Sequence, residues 1–159
     1  MYCRRKKRGD LMIPKLVLTD APDRCIEAAA EAALYRHNVG RTGVADRQAI
    51  ATLALDPQTG EAIGGLWGRT ELGLLFLEMF YLPEALRGGG IGSELLGMLE
   101  DEARRRGCRE AVVETSTFQA PGFYVRHGYT EFGRVPFTLE GEARVFLRKS
   151  LCDEGAKMT

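Results

Sequence analysis

The residues of this chain best suited to chemistry are four glycines between an apolar run and an amphipathic one, in Leu86-Arg87-Gly88-Gly89-Gly90-Ile91-Gly92-Ser93-Glu94-Leu95-Leu96. A residue without a Cβ lets its amide turn inward and approach an anion closely, and a helix that starts at the same point adds the positive end of its dipole. With Arg87 offering a charge-assisted contact, the stretch reads as a phosphate cradle. Two familiar cradles do not fit the spacing. A Walker loop ends in Gly-Lys-Ser/Thr, whereas Gly92 is followed by Ser93 and Glu94, with no lysine to reach a terminal phosphate. The dinucleotide pattern G-x-G-x-x-G requires a third glycine where Leu95 stands. What remains is Arg-x-x-Gly-x-Gly, laid out as Arg87, Gly90 and Gly92 ahead of a helix, with a plain glycine-rich strand-to-helix turn as the alternative.

Periodicity predicts the elements that must position this loop. A short strand is expected over residues 15–19, and turn and helix-start chemistry in Asp20-Ala21-Pro22-Asp23. An alanine-rich first helix runs from Asp23 to about His37 and ends near Asn38-Val39-Gly40. Strands follow over 49–55 and 61–69, joined by the turn Asp56-Pro57-Gln58-Thr59-Gly60, and Gly64, Gly65 and Gly68 make the second of them twisted or bulged. Residues 74–82 form a strand apolar on both faces, interrupted by Glu78. After the loop, Ile91, Leu95, Leu96, Met98, Leu99 and Ala103 recur at helical spacing, with Glu100, Asp101, Glu102 and Arg104 to Arg106 mostly on the wet side and Gly107 closing the helix. A strand over 110–114 and a short helix from Pro121 to about Arg126 come next. Strands over 134–137 and 143–148 complete the sheet, and Pro136 makes the first of these an edge or bulged strand.

At 159 residues and 45% hydrophobic, the chain suffices for one domain whose core needs no disulfide or structural metal. Its longest apolar stretches, such as Leu72-Gly73-Leu74-Leu75-Phe76-Leu77, fall far short of a bilayer span, and nothing resembles a secretory signal. A cytoplasmic enzyme or binding domain without membrane contact is therefore expected. Cys3, Cys25, Cys108 and Cys152 are scattered with no C-x-x-C pair, and His37 and His127 are the only histidines, so no metal site is expected. Cys25, in a helical context, and Cys108, before an apolar strand, read as buried or partly buried thiols. Five of the 22 positive charges crowd into Arg4-Arg5-Lys6-Lys7-Arg8, which leaves the remainder mildly acidic and argues against a nucleic-acid-binding body. Residues 1–11 are expected to be a disordered leader, 12–151 a single domain and 152–159 a flexible tail.

A second motif follows downstream, Phe118-Gln119-Ala120-Pro121-Gly122-Phe123-Tyr124-Val125-Arg126-His127-Gly128-Tyr129, with an Ala ahead of an aromatic-Tyr pair and a Gly-aromatic closing the turn. Together with Arg-x-x-Gly-x-Gly, in this order and at this separation, it resembles the GNAT superfamily of N-acetyltransferases over residues 15–151. A group of small bacterial-type members is similar in more detail. It shares Gly65-Leu66-Trp67-Gly68, the lead Pro83-Glu84-Ala85-Leu86-Arg87-Gly88, the helix start Phe118-Gln119-Ala120 and the final strand Phe146-Leu147-Arg148-Lys149. The chain departs from that group at Gly141-Glu142-Ala143-Arg144, where Gly-His-Ser-Arg is expected, and acceptor preference turns on this segment if it borders the acceptor pocket.

The resemblance implies a mixed α/β fold: a twisted, mostly antiparallel sheet of about six or seven strands, about four helices, and a splayed pair of strands that binds acetyl-coenzyme A. It implies direct transfer of an acetyl group from acetyl-coenzyme A to a primary amine of a small molecule or peptide, and a homodimer. The pyrophosphate would sit on Gly88, Gly89, Gly90, Ile91, Gly92 and Ser93, with Arg87 supplying charge, and free amides near Phe80, Tyr81 and Leu82 would polarise the thioester carbonyl. Thr117 stands where many relatives carry asparagine, either to cap the following helix or to bond the pantetheine arm. Tyr124 is placed like the superfamily's general acid for the leaving thiolate, with core packing as the alternative. Glu78 is the first candidate base, because a carboxylate in an apolar strand has a raised pKa. It serves equally as a satisfied buried carboxylate or as a binder of a cationic acceptor, and Glu114 is held in reserve. His127 reads as a surface residue at a helix end and Trp67 as core or pocket wall. The alternative to an enzyme is a noncatalytic coenzyme A-binding module of the same fold.

Overall fold

The computed structural model describes residues 14–152; the expected leader, Cys3 and the tail beyond Cys152 lie outside the described residues. Two compact units divide between Gly43 and Val44.

The first unit holds helix α1 (Arg24–Thr42), which Asp23 caps by accepting from the Cys25 amide at 2.7 Å. The helix runs on through Asn38 and Gly40, because the residue that turns left-handed is Gly43 (φ 71°), whose amide donates to the Val39 carbonyl at 2.8 Å. Residues 15–19 form no strand: Leu16 and Leu18 are exposed, and an apolar run without a partner strand has no ladder to join. Cys25 is exposed, contrary to the sequence expectation.

The second unit is a six-stranded sheet of β1 (Gln48–Leu55), β2 (Ala62–Glu71), β3 (Leu74–Tyr81), β4 (Glu110–Ser116), β5 (Thr130–Pro136) and β6 (Ala143–Ser150). Their order is β1-β2-β3-β4-β6-β5, and β3–β4 is the single parallel pair. The chain therefore has the expected mixed architecture, with three helices among the described residues where about four were expected. The third of these, α3 (Pro121–Arg126), starts on a proline, whose missing N–H costs nothing in a first turn. β5 is an edge strand, which accommodates Pro136, and it is also irregular, its register shifting between Glu131 and Gly133.

Helix α2 (Ile91–Arg105) buries Leu95, and packs Leu96, Leu99 and Ala103 in one cluster with Leu66, Leu75, Leu77, Ala111, Val113 and Val145 of the sheet. The Thr52 hydroxyl fixes its height by donating to the Leu95 carbonyl at 2.9 Å. Glu100, expected on the wet side, is only 4% exposed, whereas Met98 is 60% exposed. Helical geometry explains the exchange: Glu100 lies one turn beyond Leu96 and three residues before Ala103, on the same face. Its carboxylate is satisfied by the Tyr129 hydroxyl at 2.9 Å and the Lys149 ammonium at 2.6 Å.

Candidate active site

Two irregularities open the sheet beside the glycine loop. β3 pairs with β4 only from Leu74 opposite Glu110 to Leu77 opposite Val113. Beyond that point β3 stays with β2, Tyr81 opposite Gly65, while β4 stays with β6, Ser116 opposite Arg144. Along a strand, successive residues turn their N–H and C=O to alternate neighbours. Half of the backbone groups of residues 78–81 therefore face a gap; of Phe80, Tyr81 and Leu82, which were expected to offer free amides, the first two lie in this stretch and Leu82 follows it.

The second irregularity is a bulge. Trp67 stands opposite Met79 and Gly68 opposite Leu77, so Glu78 is the extra residue. The glycine-rich strand, expected to be twisted or bulged, carries an irregularity of its own toward β1, where Ile63 is skipped between Ala62 opposite Leu55 and Gly64 opposite Ala54; the insertion toward β3 is on the neighbour. Gly68 answers a different need, since a Cβ there would lie 2.2 Å from the Phe76 carbonyl oxygen. The bulge resets the alternation: Leu75, Leu77 and Phe80 face the helices, and Glu78, Met79 and Tyr81 are exposed on the other face.

In the glycine loop, Gly88 (φ 79°) and Gly90 (φ 89°) take left-handed conformations. The amides of Gly88, Gly89, Gly90, Ile91, Gly92 and Ser93 find no protein acceptor among the described residues, and the first bond of α2 is Glu94 N–H to the Gly90 carbonyl at 3.1 Å. Gly90 caps α2 without a side chain, so nothing of the protein competes for these donors. Gly92 is required by packing: a Cβ would lie 3.2 Å from the Phe80 ring and 3.4 Å from the Phe123 ring, which stack at 5.4 Å. Arg87 is partly structural, its Nε–H donating to the Leu82 carbonyl at 2.9 Å and pinning the loop to the end of β3.

One contact here was missed from sequence. His127 Nδ1 lies 2.7 Å from the Phe123 carbonyl, which can only accept, so this nitrogen carries the proton. Its Nε2 meets Ser93 Oγ at 2.9 Å, and the ring stacks on Phe123 at 4.4 Å. His127 thus ties the start of α2 to α3 and is not a plain surface residue. Only its proximity to the aromatic motif hinted at this.

A cavity of about 940 Å³ joins the loop to the gap, and Arg87, Gly92, Glu78, Glu114, Tyr124 and Arg144 all line it. Tyr124 is 6% exposed, edge-on to Phe123 at 5.2 Å and to Tyr129 at 5.6 Å. Burial pushes its phenol up to about 12, and its hydroxyl makes no hydrogen bond among the described residues. Glu78 has a side chain 47% exposed and pairs with Arg69, whose guanidinium lies over the Phe76 ring at 4.2 Å. The apolar burial behind its expected role as a base is therefore absent.

Thr117 also sits differently from its expectation. Its hydroxyl donates to the Glu142 carboxylate and accepts from the Ala143 amide at 2.9 Å, and it does not line the cavity. Nor does it cap α3, whose N-cap is Ala120, without a side-chain bond. Gly89, Ile91 and Trp67 also stand off the cavity wall. Cys108 is buried, and desolvation pushes its thiol up. No helix among the described residues is long and apolar enough to cross a membrane.

Known proteins are similar to this chain in sequence and fold. The Acetyltransferase (GNAT) family model matches residues 19–129. An acetyltransferase of Agrobacterium fabrum is 35% identical over 133 residues, covering 84% of this chain and 96% of its own length. Blasticidin-S acetyltransferase of Streptomyces morookaense is 40% identical over 80 residues, or 50% of this chain and 59% of that protein. A crystal structure from Agrobacterium tumefaciens, reported as an acetyltransferase, matches with a TM-score of 0.80 at 34% identity, covering 86% of this chain and 99% of that one. The chain belongs to the GNAT family of acetyltransferases and is an acetyl-coenzyme A-dependent acyltransferase.

Proposed function

We propose that the enzyme moves an acetyl group from acetyl-coenzyme A directly to the primary amine of a small molecule or peptide, with Tyr124 serving the departing sulfur. The observation that carries this reading is the run of six amides without acceptors, in a loop whose Gly88, Gly90, Gly92 and Ser93 line the same cavity as Tyr124. The bound co-substrate supplies an acetyl thioester. Its pyrophosphate is held by the amides of residues 88–93, the dipole of α2 and the terminal nitrogens of Arg87. Its arm fills the gap beside β3, taking the backbone bonds that β4 gives up. An unpaired β3 amide donates to the carbonyl oxygen as negative charge develops there.

The amine nitrogen attacks the carbonyl carbon as the carbon–sulfur bond breaks. One proton leaves nitrogen for Glu78, Glu114 or water, and one reaches sulfur. With the phenol at about 12 and a thiol near ~8.5, complete transfer from Tyr124 to a free thiolate is uphill by roughly 5 kcal/mol. The phenol therefore acts as a hydrogen-bond donor to sulfur whose proton moves only in step with charge leaving the nitrogen. The acetyltransferase names of the relatives favour turnover over a noncatalytic binding module.

A thiol-release assay over a panel of amines, including a nucleoside antibiotic, tests the reading with wild type, Tyr124→Phe and Glu78→Gln. Acceptor-dependent release by wild type and its collapse in Tyr124→Phe are expected. Wild type that binds acetyl-coenzyme A yet releases no thiol with any amine would leave only the binding module.

A further inference from the structure

The cavity has two sides, set by strand alternation. Ala111, Val113 and Thr115 of β4, and Ala143, Val145 and Leu147 of β6, are buried toward the helices. The alternate residues Glu114 and Arg144 therefore project from the opposite face, and both line the cavity. Glu114 stands opposite Phe146 and Arg144 opposite Ser116, so the two are diagonal neighbours, with Cβ atoms roughly 7 Å apart. Neither makes an ion pair among the described residues. The Arg144 guanidinium lies over the Phe137 ring at 5.7 Å, and Phe137 packs against Phe118 at 5.8 Å. An aromatic shelf, rather than an acid, thus holds a planar donor whose bidentate edge is unclaimed. The cavity's other arginines, Arg87 and Arg126, belong to the glycine loop and α3, the side assigned to the phosphates.

Opposite charges this close on one face, yet unpaired, suit a ligand that carries both. We propose that the acceptor is an amino-carboxylate, an amine with a carboxylate a few bonds away in the manner of an amino acid. This rests on the acetyl-transfer reading above. Arg144 takes the carboxylate in a two-pronged bond, and Glu114 accepts an N–H of the amine, which sets the nitrogen lone pair toward the gap. The carbon–nitrogen bond then forms as the carbon–sulfur bond breaks, and the proton lost by nitrogen is matched by the one gained by sulfur. An amine lacking the carboxylate leaves the Arg144 site unfilled.

Matched acceptors test the assignment: a set of amino acids, their carboxamides and the amines left by decarboxylation, assayed by thiol release with wild type, Arg144→Gln and Arg144→Lys. Loss of one charged hydrogen-bonded contact corresponds to about 10- to 100-fold in kcat/KM, which is the preference for free carboxylates expected of wild type. In Arg144→Gln the ratio between matched acceptors falls toward one, Arg144→Lys is intermediate, and acetyl-coenzyme A Kd, measured by calorimetry, stays at the wild-type value in both. Wild type that prefers the carboxamides or decarboxylated amines overturns the proposal, as does Arg144→Gln that loses acetyl-coenzyme A affinity. If acetyl-coenzyme A binds but no acceptor releases thiol, the acetyl-transfer reading falls and takes this one with it.

Discussion

The two sides of the splayed sheet are made of different material. On the helix side the groups offered are mostly backbone, joined by Arg87: six amides without acceptors, an unpaired stretch of β3, and glycines whose contribution is a missing Cβ. On the opposite side they are side chains, Glu78, Glu114 and Arg144, borne on strands whose ladders do not depend on them. A backbone cradle is tied to conformation, so it changes only if the chain path changes. A side-chain site can be rewritten one residue at a time. On the proposed reading the donor site is a property of the architecture and the acceptor site a property of a few diagonal positions.

The comparison breaks most visibly at the residue both sides share. Tyr124→Phe removes one hydroxyl and should lower kcat by about 10²- to 10⁴-fold with every acceptor, with little change in acetyl-coenzyme A KM under steady-state assay. Gly92→Val attacks the helix side alone. Its added Cβ cannot sit 3.2 Å from the Phe80 ring without moving the aromatic pair, and acetyl-coenzyme A Kd should weaken by about 10- to 100-fold in calorimetry, whatever the acceptor. Glu78→Gln probes the other side. A half-exposed carboxylate paired with Arg69 should matter by less than about 10-fold in kcat/KM, and unequally among acceptors, whereas a fall above about 100-fold would restore it as the base.

Two smaller effects sharpen the contrast. The Tyr124 phenol lies at 10.0 ordinarily and about 12 in the fold, so its contribution to stability is complete below pH 10 and lost as pH rises through 12. Tyr129, raised by burial first and by Glu100 second, acts in the same sense. Melting temperature should therefore fall across that window, less steeply in Tyr124→Phe. Thr117→Val should cost about 1 kcal/mol in denaturant unfolding by orphaning the Ala143 amide, and leave acetyl-coenzyme A Kd unchanged. A weakened Kd would return Thr117 to the cofactor side.

What was legible in the sequence follows the same division. The glycine loop, α2 and the Phe123-Tyr124 helix announce themselves through local signals: residues without Cβ, a 3.6-residue period, a proline at a helix start. The end of α1 was misplaced because Gly40 and Gly43 both offer a stop, and a single left-handed turn decides between them. Glu100 was misread because charge suggested water, while its partners, Tyr129 and Lys149, lie far along the chain. The bulge at Glu78 and the nearness of Glu114 to Arg144 depend on register between strands, which no local pattern encodes.

The short parallel seam has a mechanical consequence. The second unit consists of two three-stranded antiparallel ribbons, β1-β2-β3 and β4-β6-β5, joined edge to edge through four facing residue pairs. Helix α2 packs on the first ribbon, and its Glu100 grips Lys149 of the second and Tyr129 just ahead of β5, well back from the glycine loop. The second unit thus resembles tongs joined at the seam, with α2 bridging both ribbons through its apolar face and Glu100, and with the free tips at the ends of β3 and β4. Separating the tips would break no antiparallel rung, so the load would fall on the seam and on the contacts of α2.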